Sequence, residues 1–366
     1  MILYNIRRGL FFMLELKKLY NKIIRYLELK EKIISDEAIH YFPHPRILFF
    51  AITSRCNFNC PHCLRRLIDG EKTIIQDLPI PVFETCLREG KKLNFNTIML
   101  VGGEPILHSQ FKRIIELIRE YNYQFHIISN GWLYKEYWEA LEENKRNLTS
   151  ISLSLDGTTA KVHDAIREKK GSFERLTQAM NFYKQRGIDL GIKFLLSKRN
   201  YHQLEEIIKF CQKSKVKQLT FIVEIPAAHS DLSKEERIDA IRKILFLEKK
   251  FSKFLKIQMA ASFFQNMEYR TGIHFCSVLD GQRVFIDFTG GMLLCPDIYS
   301  KCEQKPLIQE TGFEKSYLIT LETINELKKR RLHDLLNNSI EAKTTLCDYC
   351  DRHIESCLDL AKNRIK

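Results

Sequence analysis

The sequence predicts an α/β fold: a partial (β/α)6 barrel around a parallel sheet, followed by a cysteine-rich β-hairpin and helix extension. Three observations predict it. Short β-rich apolar runs alternate with amphipathic helical stretches from residue 47 to 223, at about 25–35 residues per unit, as βαβ units do. The rhythm then gives way to a long charged stretch. The cysteines gather at two places, directly after the first apolar run and near the end of the chain.

The elements follow in order. Residues 1–45 carry Leu16, Leu19, Tyr20, Ile23, Ile24 and Leu27 at helical spacing, with Lys17, Lys18, Lys22 and Arg25 between them. Such a basic amphipathic helix suits weak contact with a membrane surface, or packing on the barrel with its basic face solvated. Residues 46–225 hold the barrel. Its expected strands are Ile47–Thr53, Thr97–Val101, Gln124–Ser129, Ser150–Leu155, Asp189–Leu196 and Gln218–Val223, with helices such as Phe111–Glu120, Phe173–Arg186 and Tyr201–Lys213. Six units fall short of the eight of a full TIM barrel, so the expected fold is TIM-like but partial. Residues 226–275 read as a helical linker around Glu235–Phe254. In 276–366, Arg283–Asp287 and Met292–Leu294 face each other across Gly290-Gly291 as a hairpin, and Thr320–Leu336 reads as a helix.

A chain of 366 residues exceeds what one hydrophobic core usually serves, which agrees with more than one structural unit. The formal charge of +13 permits an anionic partner without demanding one, because the lysines are spread along the chain. No basic–aromatic interleaving or helix-turn-helix grammar points to nucleic acid. No apolar run ends in a small-residue cleavage site, and none has membrane-spanning length. The expected location is therefore the reducing cytoplasm, where clustered cysteines bind metal more often than they pair.

Eleven cysteines are present, and their spacing carries the chemistry. Cys56-Asn-Phe-Asn-Cys60-Pro-His-Cys63 directly follows the first strand. Three thiolates on one short loop can fill three corners of an iron–sulfur cluster and leave one iron open for a ligand. A zinc site is the plainer alternative for three such cysteines. Gly102-Gly103-Glu104-Pro105 follows the second strand and Ser129-Asn130-Gly131 the third. Ser154-Leu155-Asp156-Gly157, His163-Asp164 and Arg167 follow the fourth, then Gly171-Ser172-Phe173 at a helix start, with Asn200 after the fifth. Parallel α/β folds place their sites at these strand ends. Alone, each of these segments reads as an ordinary turn, strand end or surface residue; their order lifts them above that.

Taken in this order, the motifs resemble those of the radical S-adenosylmethionine (SAM) superfamily, and the Ser154–Arg167 stretch resembles its peptide- and protein-modifying members. The resemblance implies a [4Fe–4S] cluster on Cys56, Cys60 and Cys63, with SAM chelating the open iron. It implies reductive cleavage of SAM by an electron from a donor such as flavodoxin or ferredoxin. The resulting 5′-deoxyadenosyl radical then takes a hydrogen atom from the substrate. It places Gly102, Gly103, Glu104, Pro105, Ser129, Asn130, Ser154, Asp156 and Arg167 around SAM. Glycine at 102–103 would let the backbone approach the ligand closely.

Cys276 before the hairpin, Gly290-x4-Cys295, Cys347-x2-Cys350 and Cys357 resemble the C-terminal extension called SPASM in its two-cluster form and twitch in its shorter form. Too few cysteines follow Cys350 for two clusters. The resemblance thus implies one auxiliary cluster on Cys276, Cys295, Cys347 and Cys350, with Cys357 or Cys302 as substitutes and a structural zinc as the alternative. Asp297, two residues past Cys295, stands near the place of a general base in the sulfatase-maturing branch, although Pro296 shifts it; a turn aspartate is the plainer reading. Cys86 and Cys211 read as buried helix thiols. The expected substrate is a peptide or protein side chain. A sugar, or a phosphorylated or lipid-linked metabolite, is the alternative. A non-catalytic iron–sulfur scaffold has no need of the SAM segments.

Overall fold

Each apolar run in the first half of the chain becomes a strand with one face against helices. The computed structural model describes residues 46–63, 75–223, 232–251, 255–259, 283–293 and 307–321. In chain order the elements are β1 (Arg46–Thr53), α1 (Ile80–Lys92), β2 (Phe95–Gly102), α2 (Phe111–Glu120), β3 (Gln124–Ser129), α3 (Trp138–Glu143), β4 (Leu148–Ser154), α4 (Ala160–Arg167) and α5 (Ser172–Gln185). Then follow β5 (Leu190–Leu196), α6 (Leu204–Lys213), β6 (Gln218–Val223), α7 (Lys234–Phe251), β7 (Lys256–Met259), β8 (Arg283–Ile286), β9 (Met292–Leu293) and α8 (Ile308–Thr311). A further helical stretch covers 313–321. No helix among the described residues is long and apolar enough to cross a membrane.

The sheet order is β7-β6-β5-β4-β3-β2-β1-β8-β9. Neighbours from β7 through β8 run parallel, and β9 returns antiparallel to β8. Eight parallel strands therefore replace the six expected. Two short segments account for the difference. β7 is only four residues, too brief to show a period. β8 forms the expected hairpin with β9, pairing Ile286 with Met292, but its other edge pairs in parallel with β1, Ile47 opposite Arg283. Barrel and extension thus share one sheet, a long-range pairing that local pattern does not encode.

Local chemistry shapes the helices. Pro81 sits in the first turn of α1, where its missing N–H costs nothing, and Lys91 and Lys92 close its last turn. In α2, Phe111, Ile114, Ile115, Leu117 and Ile118 are all buried on one face. Asp164 caps the start of α5: its carboxylate accepts from the Gly171 amide at 2.7 Å and from the Ser172 hydroxyl and Phe173 amide at 2.8 Å.

The outer face of the strands and the helices form one apolar core, with Cys86 and Cys211 fully inside it. The inner face divides by chemistry. Phe49, Ala51, Val101 and Phe285 cluster on the β8–β1–β2 side. Ser154, Lys193, Thr220 and Gln258 stand side by side across β4 to β7. The 313–321 helix closes the opposite surface. Phe313 and Tyr317 lie 5.9 and 5.5 Å from the Phe95 ring, and Glu89 Oε2 accepts from the Phe313 and Glu314 amides at 2.9 and 3.1 Å.

Candidate active site

β1 delivers the chain into the three-cysteine loop, and a polar clamp holds its entry. Thr53 Oγ1 accepts from the Arg55 amide at 3.0 Å and donates to Asp77 Oδ1 at 2.5 Å. Arg55 Nε donates to the same carboxylate at 3.1 Å, and Asp77 Oδ2 accepts from the Ser109 amide at 3.0 Å. Partial burial works against the Asp77 charge, but the Thr53 and Ser109 donors, with His108, outweigh it and hold the carboxyl down at about 2.

Within the loop the Cys63 amide donates to the Cys60 carbonyl at 3.2 Å, a tight turn at Pro61-His62, and the Phe58 amide donates to Cys56 Sγ at 3.5 Å. Cys60 is buried, and Cys56 and Cys63 are half-buried. Burial pushes the Cys56 thiol up to about 11, and repulsion from Cys60 and Cys63 adds to it. Cys60 is raised by burial, with Arg167 pulling the other way. The Cys56 and Cys60 thiolates are therefore costly here without bound cations, which deprotonate coordinating thiols outright.

No three Cys, His, Asp or Glu side chains among the described residues converge on a single metal ion. Three thiolate donors on one short loop are the donor set of an iron–sulfur cluster, and of a zinc site as well.

The second motif presses directly on this loop. The Gly103 amide donates to the Thr53 carbonyl at 2.8 Å and the Glu104 amide to the Arg55 carbonyl at 2.7 Å. Gly102 has φ +137°, and a Cβ on Gly103 would lie 2.1 Å from the Arg55 carbonyl oxygen. Pro105 opens a 3₁₀ turn, Pro105–Leu107, which carries the chain away. Glu104 is buried; its Oε2 accepts from the Asn130 amide at 2.7 Å, while Oε1 meets no protein donor in good hydrogen-bond geometry. Burial pushes this carboxyl up to about 7, against the Asn130 hydrogen bond and weaker pulls from the Ser129 hydroxyl, the Ile106 amide and Arg167. Asn130 also donates from Nδ2 to Asn57 Oδ1 at 2.8 Å, tying the third motif to the cysteine loop. Ser129 Oγ accepts from the Gly131 amide at 3.0 Å.

The fourth motif reaches the loop through an ion pair. Ser154 ends β4 half-buried, and Asp156 behind it is fully buried. Asp156 Oδ1 accepts from the Leu195 amide at 2.9 Å, and Oδ2 lies 2.5 Å from Arg167 Nε. Arg167 Nη1 then donates to Cys60 Sγ at 3.9 Å. Burial opposes the Asp156 charge, yet Arg167, with His62 and His163, outweighs it and keeps the carboxyl below its usual value. Asn200 Nδ2 donates to the Asp156 carbonyl at 3.0 Å.

Cys56, Cys60, Cys63, Gly103, Glu104, Asn130, Asp156 and Arg167 are thus one connected structure at the carboxyl ends of β1 to β4. Asp156 and Arg167 face each other and Cys60. Cys276, Cys295, Asp297, Cys302, Cys347, Cys350 and Cys357 lie outside the described residues, as does the helix expected within 1–45.

Three residues with roles here escaped the sequence reading. Asn57 sits inside the cysteine motif as an ordinary spacer. Asp77 belongs to no motif and is brought beside Thr53 by an antiparallel bridge. His62 lies 3.9 Å from Asp156 Oδ2, and burial, helped by Arg167, lowers it to about 4, so its ring is neutral at neutral pH. Its place between Cys60 and Cys63 was the available signal.

A parallel α/β sheet carrying a three-cysteine loop, a glycine clamp and a buried carboxylate at its carboxyl edge defines a class. Residues 50–211 match the family model of the radical SAM superfamily, and this part of the chain is a radical SAM domain. The superfamily's members are enzymes of radical-based redox chemistry. Among curated proteins it is similar to "Fe-coproporphyrin III synthase" of Methanosarcina barkeri, 25% identical over 206 residues, which are 54% of this chain and 50% of that one. It is also similar to "Antilisterial bacteriocin subtilosin biosynthesis protein AlbA" of Bacillus subtilis, 24% identical over 48% of this chain and 38% of that one. The chain spans about half the length of the curated relatives it matches. Among solved structures, Streptococcus suis SuiB bound to precursor peptide SuiA superposes with a TM-score of 0.63 at 16% identity, covering 81% of this chain and 69% of that one, a likeness of fold.

Proposed function

We propose that the protein holds a [4Fe–4S] cluster on Cys56, Cys60 and Cys63, binds SAM beside it, and removes a hydrogen atom from a side chain of a peptide or protein. The observation that carries the SAM site is Glu104, a buried carboxylate next to the cysteine loop whose Oε1 meets no protein donor in good hydrogen-bond geometry. Such an atom fits an ammonium group, and the SAM methionine amine is one. When bound, the cluster and SAM together supply a 5′-deoxyadenosyl radical through one-electron cleavage.

The chain's own residues supply position. Gly102, Gly103 and Pro105 shape the clamp, Asn130 orients Glu104, and Ser129 stiffens the turn behind it. Arg167 keeps positive charge on Cys60, and Asp156 aims Arg167. Ser154 stands on the inner face of the sheet, in register with Lys193 of β5. A second cluster on Cys276, Cys295, Cys347 and Cys350, with Cys357 or Cys302 in reserve, and Asp297 as a proton acceptor beside it, belong to the same reading. Their support is the SPASM/twitch resemblance. Flavodoxin or ferredoxin would supply the electron.

The names of AlbA and of the SuiB complex with its precursor peptide favour a peptide substrate. The match to Fe-coproporphyrin III synthase favours the second reading, a small molecule. Isotope transfer separates them. The reconstituted protein is given SAM, reductant and either a perdeuterated peptide digest or a perdeuterated small-metabolite extract. The expected result is 5′-deoxyadenosine one mass unit heavier with the digest only. Label from the metabolite fraction alone would replace the peptide reading by the second.

A further inference from the structure

The inner face of the sheet carries a cation that the site above does not use. Lys193 stands on β5 between Ser154 of β4 and Thr220 of β6, with Gln258 of β7 next in the row. Parallel neighbours in register point to the same face, so these four side chains share one strip of wall. The row lies one pleat, about 7 Å along the strand, below Asp156 and Leu195, where the cysteine loop is fastened.

Hydrogen bonding in this row is incomplete in a particular sense. Lys193 Nζ donates to Thr220 Oγ1 at 3.1 Å. Gln218 Nε2 donates to the same oxygen at 3.2 Å and to Gln258 Oε1 at 2.8 Å. An ammonium has three donors, and among the described residues only one of them is engaged. Thr220 Oγ1 accepts twice, so its own O–H is left to donate. No carboxylate pairs with Lys193 among the described residues; Arg283 instead adds like charge to it. Burial, with Arg283 second, lowers the ammonium to about 8, so it stays mostly charged at neutral pH. Gly191, one row below, leaves room for the Ser152 hydroxyl, which a Cβ there would meet at 2.6 Å.

We infer that Lys193 and Thr220 form a seat for an oxyanion of the substrate, anchoring it on the inner wall one pleat below the cysteine loop. Two ammonium hydrogens and one hydroxyl hydrogen suit a carboxylate or a phosphate oxygen pair. The inference deepens the function proposed above and rests on it only for the choice of group: on a peptide it is an Asp or Glu side chain or a terminal carboxylate.

Competitive lysine acylation tests it on the reconstituted protein. A small acylating reagent is applied with N-acetylglutamate amide, N-acetylglutamine amide or inorganic phosphate at millimolar concentration, and the Lys193 peptide is read by mass spectrometry against exposed Lys209. The glutamate probe should slow Lys193 acylation at least three-fold, its neutral isostere should not, and Lys209 should be unaffected. Protection by phosphate alone keeps the seat and transfers support to a phosphorylated small molecule. Equal acylation with all three probes overturns the seat and leaves the peptide reading untouched. Thr220→Val keeps Lys193 as reporter and removes one donor; it should lose most of the protection while its melting temperature shows that it folds. Full protection in folded Thr220→Val removes Thr220 from the seat.

Discussion

A methyl group at position 103 would sit 2.1 Å from the Arg55 carbonyl oxygen and 2.9 Å from that of Ser54. The sequence reading asks for glycine there so that backbone can approach a ligand. The structure adds a nearer reason: the neighbour that a side chain would meet is the chain itself, at the entry to the cysteine loop. Gly103→Ala should therefore destabilise the metal-free protein by about 2–3 kcal/mol, the scale of overpacking against rigid backbone, and reduce its uptake of iron. Denaturant unfolding of the metal-free variant is the check. An unchanged midpoint, with the loss seen only in SAM binding, would return the glycine to a purely ligand-facing role. At this scale the legible residues were those of distinctive type, the cysteines and paired glycines. Asn57 and Asp77 were hidden because Asn and Asp are common loop residues, and what makes these two matter is a bridge and a register rather than a local pattern.

Elements were legible in proportion to their length. β3, β6 and α2 begin and end where periodicity placed them, since each carries a full apolar face bounded by polar residues. β7 and the β8–β1 pairing were missed, being short or non-local. The helix at 313–321 begins seven residues before the expected Thr320. What fixes its start is Glu89, more than two hundred residues away, whose carboxylate caps the Phe313 and Glu314 amides. Acidic caps at helix N-termini contribute about 0.5–2 kcal/mol. Glu89→Ala should lower stability by about 1 kcal/mol and raise hydrogen exchange in 313–321 while α1 keeps its protection. Equal loss of protection across both elements would mean that Glu89 supports α1 rather than the contact between them.

For the whole molecule, composition and charge narrowed little, whereas motif order along a parallel sheet narrowed much. Rare residue types at successive strand ends converge in space because parallel strands present all their carboxyl ends on one side. That convergence is visible here as a hydrogen-bonded chain from Asp77 through Arg55, Glu104 and Asn130 to Asn57, and as the Asp156–Arg167–Cys60 contact. Substrate choice was less legible, because the inner wall is assembled from single residues on separate strands. The cysteines beyond residue 275 make the remaining whole-chain claim testable by stoichiometry. Cys56, Cys60 and Cys63 would account for one cluster of four irons, and a second set of thiolates for four more. Anaerobic reconstitution should give about eight irons per chain in the wild type and about four in the Cys56→Ala, Cys60→Ala, Cys63→Ala triple variant, with reductive SAM cleavage abolished only in the latter. About four falling to none would leave the later cysteines to zinc or to no metal, and would withdraw the auxiliary cluster while sparing the first. A triple variant that still produced 5′-deoxyadenosine would overturn the assignment of the loop itself.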